Sequence, residues 1–195
     1  VYMKYYCIGI KGTGMSTLAQ ILHDLGNEVS GYDDAIGFKF TQVGLDERNI
    51  PIYYNQEHSL DSDTIVTYSV AFKEDHRELQ RVKKLGLKII PYHELMGYVI
   101  SLFQSIGVSG THGKTSTSTI IKHILEQNGG CNYFIGAGDG YATDANTYFV
   151  VESDEFNRHF TAYHPFYSII TNIEEEHMEC YKDIDDIRNS FEIFA

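Results

Sequence analysis

The chain has little that could staple it together. Its three cysteines, Cys7, Cys131 and Cys180, are odd in number and far apart. That excludes a disulfide framework and the paired spacing of a structural zinc site, and it points to a reducing, cytoplasmic setting. Cys7 lies in an apolar stretch and reads as a small core residue. No apolar run approaches eighteen residues, so no membrane-spanning helix is expected. The N-terminus enters a strand-like run with no signal-peptide pattern. Positive charge is scarce. Fifteen Lys and Arg stand against 27 Asp and Glu, a formal net charge of −12. This argues against nucleic acid or an anionic membrane as the partner. A small anionic ligand remains possible if backbone amides, one or two lysines and Mg²⁺ supply local positive potential. Internal repeats, low-complexity tracts and Pro/Gly/Ser-rich linkers are also missing.

What is present is a composition able to pack a core, 43% hydrophobic over 195 residues, enough for one or two domains. It is organised around Ser105 to Thr119, S-I-G-V-S-G-T-H-G-K-T-S-T-S-T. A short apolar run meets the turn Gly110-Thr111-His112-Gly113; Lys114 and Thr115 follow, then a helical pattern through Ile120, Ile121, Ile124 and Leu125. Strand, glycine turn, Lys-Thr and helix form the architecture of a phosphate-binding loop. Its amides and the positive helix end can cradle phosphates, Lys114 can reach the β/γ-phosphates and the Thr115 hydroxyl can meet Mg²⁺. The strict G-x-x-x-x-G-K-[ST] pattern asks for Gly at 108, where this chain has Val108. The loop is the shorter G-T-x-G-K-T form. A ligand-free glycine turn at a helix start is the alternative.

The first hundred residues alternate strand and helix. Residues 4–10 read as a buried strand, Gly9-Ile-Lys-Gly12-Thr13-Gly14 as a turn, and Met15 to Leu25 as a helix with Leu18, Ile21, Leu22 and Leu25 on one face. A strand at Val29 to Tyr32 ends in Asp33-Asp34. A dinucleotide fingerprint would place glycines at 9, 11 and 14. Here position 11 is Lys and the middle glycine is Gly12, so a phosphate-bearing nucleotide other than NAD fits better, with Lys11 adding charge. A tight, ligand-free connection is the alternative, and Asp33 reads equally as a ligand or as a solvated cap. Further strands are expected at 50–54, 63–68 and 87–90, with helices at 40–48, 73–85 and 93–103. Ser69 stands at the strand end where a parallel sheet binds ligands, although a turn serine would look the same. His93 reads as a surface or capping residue. The expected domain is an open parallel sheet with helices on both faces.

A second domain is expected from residue 104, with 1–103 forming the first. After the loop helix (115–128), strands are expected at 131–135, 147–151 and 166–171, a flexible turn at 136–140 and a helix at 183–194. The strand at 147–151 runs into Glu152-Ser-Asp154-Glu155. Carboxylates at a strand end downstream of a phosphate loop suit a Mg²⁺-nucleotide site; a solvated acidic loop is the alternative. His177 follows another strand in the same way and could share one site with Glu152.

Four stretches carry a resemblance. They are G-I-K-G-T-G-M-S-T-L-A (Gly9 to Ala19), G-T-H-G-K-T-S-T (Gly110 to Thr117), V-V-E-S-D-E-F-N-R-H-F (Val150 to Phe160) and T-N-I-E-E-E-H (Thr171 to His177). In this order, over essentially the whole chain, they resemble the Mur ligases of peptidoglycan synthesis, and the first stretch points to the alanine-adding branch. The resemblance implies a Rossmann-like UDP-sugar domain followed by a P-loop ATPase-type α/β domain. It implies ATP-dependent joining of L-alanine to UDP-N-acetylmuramate through an acyl phosphate, with ATP and Mg²⁺ required. It places Gly12, Thr13, Gly14 and Met15 near the UDP diphosphate, and gives Asp33 and Ser69 uridine-side roles. Gly110, Thr111, His112, Gly113, Lys114, Thr115, Ser116 and Asn172 would hold ATP. Thr115 and Glu152 would bind one Mg²⁺ and His177 a second, making Lys114, Glu152 and His177 the catalytic set. Asp154, Glu155 and His112 would line the muramate side.

Family members have three domains and are more than twice as long. The chain is therefore expected to stop inside the central domain, without the amino-acid-binding domain that closes the site, and to bind substrates without turnover. A murein-peptide recycling ligase, a non-catalytic nucleotide-binding module and an NAD-dependent oxidoreductase are the competing readings. The last is disfavoured by the spacing at Lys11. Oligomeric state is not fixed by the sequence.

Overall fold

The computed structural model describes residues 2–136, 138–175 and 179–195. The chain divides into two compact units, Val1–Leu95 and Met96–Ala195. Each is built on a five-stranded sheet. Among the described residues no helix is long and apolar enough to cross a membrane.

In the first unit the strands are β1 (Lys4–Ile8), β2 (Glu28–Tyr32), β3 (Ile52–Tyr53), β4 (Ile65–Tyr68) and β5 (Lys88–Pro91). They are all parallel, in the order β3-β2-β1-β4-β5. The helices are α1 (Thr13–Asp24), α2 (Gln42–Glu47) and α3 (Arg77–Lys84), with α4 (Tyr92–Ser101) following β5. The chain steps outward from β1 to β3, then crosses to β4 and β5 on the other side of β1. Right-handed crossovers in opposite directions place α1 and α3 on opposite faces. The strand order reverses at β1, so the crevice lies beyond the carboxyl ends of β1 and β4.

Sequence periodicity explains both layers. Met15, Leu18, Ala19, Ile21 and Leu22 are the buried stripe of α1. Leu79 and Val82 of α3 pack with Tyr6, Ile8, Tyr32, Val66 and Leu87 on the other face. Gly31 sits where a Cβ would lie 2.5 Å from the Cys7 carbonyl oxygen, so the β1–β2 pairing admits no side chain there. Cys7 is fully buried, and burial pushes its thiol up to about 12. The expected helix at 73–85 begins only at Arg77. His76 is extended and caps it, its Nδ1 accepting the Glu78 N–H at 3.1 Å, so residues 73–75 belong to the turn.

The second unit orders its strands β10-β6-β9-β7-β8. They are β6 (Gln104–Ser109), β7 (Asn132–Ile135), β8 (Asp139–Tyr141), β9 (Tyr148–Glu152) and β10 (Tyr167–Ile170). Helices α5 (Lys114–Glu126) and α6 (Ile184–Phe194) complete it, with a 3-10 helix at Phe156–Ala162. The flexible turn expected at 136–140 is a correction. Gly136 and Gly138, at φ +60° and +98°, reverse the chain, and residues 139–141 pair antiparallel with Ile135 to Tyr133. The sheet is therefore mixed. Phe160 sits 5.1 Å from both Phe191 and Phe194, tying the 3-10 helix to α6. Cys131, Ile135 and Val150 form a further core with Ile106, Ile121 and Leu125.

Candidate functional site

In the second unit β6 ends at Ser109 and α5 begins at Lys114. The four residues between turn on two glycines. Gly110 has φ +135°, and a Cβ on it would lie 2.0 Å from Thr171 Oγ1. Gly113 has φ +83° and open space where a Cβ would point, so the amino end of α5 is unobstructed there. The turn is braced from behind. The Asn172 carbonyl accepts the Thr111 N–H at 3.1 Å, and its Oδ1 accepts the His112 N–H at 2.9 Å. Thr171 Oγ1 donates to the His112 carbonyl at 2.6 Å, and Thr111 Oγ1 accepts the Glu174 N–H at 2.9 Å. Asn172 thus stands against the loop, with its side chain shaping the turn. His112 and Ser116 are exposed on it; His112 Nε2 lies 3.7 Å from the Glu174 carboxylate.

Lys114 points back across the loop. Its Nζ donates to the Gly110 carbonyl at 2.6 Å and to Glu155 at 3.0 and 3.2 Å. Glu155 was expected toward the sugar, yet its side chain is only 4% exposed and its carboxylate is paired with Lys114. Later residues hold the Glu155 backbone. Tyr181 donates its hydroxyl to the Glu155 carbonyl at 2.6 Å, and the Arg158 guanidinium lies 4.7 Å over the Tyr181 ring. Arg158 has φ +59° and grips Asp186 at 2.6 and 3.0 Å, holding that carboxyl down to about 2. Asp154, beside Glu155, is exposed.

Glu152 ends β9 next to Val108 of β6. Its Oε1 accepts the Thr115 hydroxyl at 2.8 Å and its Oε2 the Gly136 N–H at 2.7 Å. A hydroxyl and a carboxylate at the amino end of a helix are hard oxygen donors suited to Mg²⁺. No cluster of three or more His, Cys, Asp or Glu groups is assembled among the described residues. Mg²⁺ commonly uses one or two carboxylates and completes its shell with phosphates and water. His177 lies outside the described residues.

The crevice of the first unit is built around Gly9, at φ +82°. The Gly12 N–H closes a turn on the Gly9 carbonyl at 3.0 Å, and α1 starts at Thr13 with Gly12 as its extended N-cap. Gly14 is hemmed in, since a Cβ would lie 2.8 Å from the Tyr92 hydroxyl. Met15 is buried. Lys11, expected to add charge at the turn, is a buried residue. It is 1% exposed, and its Nζ donates to the carbonyls of Ala35 and Gly37 at 2.7 and 2.9 Å. Asp33 is neither solvated nor turned outward. It is 5% exposed and its two oxygens accept the N–H groups of Lys11 and Ala35. Ser69 lies beside Gly9, with its Oγ accepting the Ala71 N–H at 3.3 Å in a serine turn.

Next to Ser69 a cavity of about 460 Å³ is lined by Asp34, Ala71, Phe72, Lys73, Asp75 and His76. Sequence reasoning missed this wall. Tyr32 donates to Asp34 at 2.6 Å, and His76 Nε2 meets the same carboxylate at 2.9 Å. Since His76 Nδ1 accepts a backbone N–H, Nε2 carries the proton. Partial burial opposes ionisation of Asp34, but these two hydrogen bonds hold its carboxyl below the ordinary value. The signal was the second Asp after β2, which the glycine spacing alone did not single out.

Residues 4–104 match the Mur ligase family catalytic domain, and residues 108–195 match the Mur ligase middle domain. The chain belongs to the Mur ligase family. This Mur ligase chain is 43% identical over 191 residues to a UDP-N-acetylmuramate–L-alanine ligase of Lactiplantibacillus plantarum. It is 44% identical over 191 residues to the ligase of the same name from Pediococcus pentosaceus. Each alignment covers 98% of this chain and 44% of the relative, so the chain spans less than half the length of the curated relatives it matches. The solved UDP-N-acetylmuramate-alanine ligase of Thermotoga maritima superposes with a TM-score of 0.84 at 27% identity, over 99% of this chain and 47% of that one. A Neisseria meningitides ligase for UDP-N-acetylmuramate and L-alanyl-gamma-D-glutamyl-meso-diaminopimelate shares the fold, with a TM-score of 0.83 at 24% identity, over 100% of this chain and 68% of that one.

Proposed function

We propose that this chain is the UDP-sugar- and ATP-binding part of a cytoplasmic UDP-N-acetylmuramate–L-alanine ligase of peptidoglycan precursor synthesis. The observation that carries the reading is the junction of Thr115, Lys114 and Glu152 at the open amino end of α5. The names of the relatives at 43–44% identity supply the substrate. In the proposed reaction the lactyl carboxylate of UDP-N-acetylmuramate attacks the γ-phosphorus of ATP, ADP leaves, and an acyl phosphate forms. The amine of L-alanine then attacks the acyl carbon and phosphate departs.

The first step brings two anions together, so fixed positive potential is the main requirement. The amides of Gly113 to Ser116 at the amino end of α5 supply part of it. Lys114 adds a full charge, oriented in advance by the Gly110 carbonyl and Glu155. Thr115 and Glu152 would hold Mg²⁺, with His177 assigned to a second ion; the metal supplies further charge neutralisation on the phosphates. Asn172 keeps the loop in shape, and Asp154 and His112 are assigned to the muramate side. Glu155 acts through Lys114. In the first unit Gly12, Thr13, Gly14 and Met15 are assigned to the diphosphate. Ser69 is assigned to the uridine side, and Asp33 shapes the turn behind it.

A thermal-shift titration of this chain with UDP-N-acetylmuramate, Mg²⁺-ATP and NADH tests the reading. Each true ligand at a hundred times its Kd should stabilise by about 2.7 kcal/mol. The first two are expected to raise Tm and NADH to leave it unchanged. A shift with NADH alone overturns the proposal. With the full-length ligase, L-alanine rather than a tripeptide is expected to stimulate phosphate release.

A further inference from the structure

The side chain of Lys11 is unusual in a chain of net charge −12. It is 1% exposed, among the largest fully buried side chains in the protein. Its ammonium donates to two neutral carbonyls, of Ala35 and Gly37, and lies 4.8 Å from the centre of the Tyr54 ring. Among the described residues no carboxylate stands within ion-pair distance of it. Asp33, the buried carboxylate bonded to its backbone, places its oxygens on the N–H groups of Lys11 and Ala35 and not on the ammonium. Thr41 Oγ1 donates to the Lys11 carbonyl at 2.8 Å, so segment 33–41 is strapped to this one residue at both ends.

A buried cation without an anion is costly, because carbonyl dipoles and a ring face replace only part of its hydration. Such a charge is retained where an anion arrives to meet it. Lys11 directly precedes Gly12, the N-cap of α1. A diphosphate at that helix end would face the amides of the turn with the ammonium set behind them in a low-dielectric wall, where its field is poorly screened. We propose that Lys11 is a positioning residue for the diphosphate of the UDP-sugar: its buried, unneutralised ammonium supplies fixed positive potential behind the Gly12 turn without contacting the ligand. The inference rests on the UDP-sugar reading above and adds a residue that works through charge rather than through hydrogen bonds to substrate.

The test compares two ligands that differ only in the phosphates. UDP and uridine are titrated calorimetrically into the wild-type chain and into Lys11→Met and Lys11→Arg. For Lys11→Met, UDP is expected to weaken by about tenfold, with uridine unchanged. Lys11→Arg keeps the charge and is expected to keep the UDP-to-uridine ratio of the wild type. Equal weakening of both ligands in Lys11→Met would mean that Lys11 only holds the loop, and would overturn the proposal. If Lys11→Met does not fold, the Nζ resonance of ¹⁵N-lysine-labelled wild type decides: it should move on saturation with UDP and stay with uridine, and no movement with UDP overturns the proposal. Failure of the wild type to bind UDP at all would instead refute the UDP-sugar reading.

Discussion

Lys114 and Glu155 show how one side chain can serve both stability and binding. The Lys114 side chain is 15% exposed and that of Glu155 4%, with the charges 3.0 Å apart. Breaking such a pair by removing one partner costs about 3 kcal/mol. Lys114→Met is therefore expected to lower stability in urea by about that amount and to abolish Mg²⁺-ATP binding. Glu155→Gln should cost less and keep ATP affinity. The double variant should recover most of the stability of Lys114→Met while remaining unable to bind ATP. Stability losses that simply add in the double variant would show that the pair is not energetically coupled. At this scale the loop residues were legible. Lys114, Thr115 and Glu152 hold positions dictated by a strand, a turn and a helix start, and the motif encodes all three. The partners of Lys11 and Glu155 were not legible, because they depend on which carbonyls and hydroxyls the distant segments 33–41 and 181–186 bring near.

The elements were mostly readable from periodicity, and the exceptions have local causes. β8 consists of Asp, Gly and Tyr over three residues, a composition that reads as turn. Only its pairing with β7 makes it a strand. Helix α3 was placed four residues early because its first turn looked amphipathic, whereas His76 supplies the cap. The same helix carries a pH prediction. Glu78, wholly buried, accepts from the Tyr6 hydroxyl at 2.7 Å and from Arg81 at 2.7 Å, which ties α3 to β1. Burial opposes its ionisation, but the hydrogen bonds from Arg81 and Tyr6 outweigh it and hold its carboxyl below the usual 4.5. His58 contacts the same Tyr6 and Arg81, and burial together with the Arg81 charge lowers its pKa below 6.5. In both cases the unfolded chain binds protons that the native state does not, so stability is lost as pH falls. The contribution of His58 is complete above about 6.5 and wanes below it; that of Glu78 is complete above about 4.5 and is lost in stronger acid. Urea midpoints measured from pH 8 to pH 3 are expected to decline in that order. Glu78→Gln should flatten the acid limb and leave the decline near pH 6 in place.

For the whole molecule, the division into two units, each with its own glycine turn and helix start, makes ligand binding separable. The UDP moiety and Mg²⁺-ATP are assigned to different units, so each should protect only the amides it binds. Hydrogen exchange reads this directly, because amides near a bound ligand open less often while distant ones keep their native rates. Saturation with UDP is expected to slow exchange around residues 9–16 and 69–72 and leave 110–116 unchanged. Mg²⁺-ATP should do the reverse, and Glu152→Ala should remove its effect on 110–116 while sparing the UDP response. The relatives are more than twice as long as this chain, and the proposed reading puts the part that presents L-alanine in the unmatched portion. Both protections should therefore occur without any L-alanine-dependent release of phosphate. Protection of 110–116 by UDP alone would contradict the assignment of the UDP moiety and ATP to separate units. Phosphate release that depends on L-alanine would place the amino-acid site within these 195 residues and overturn the division of labour argued here.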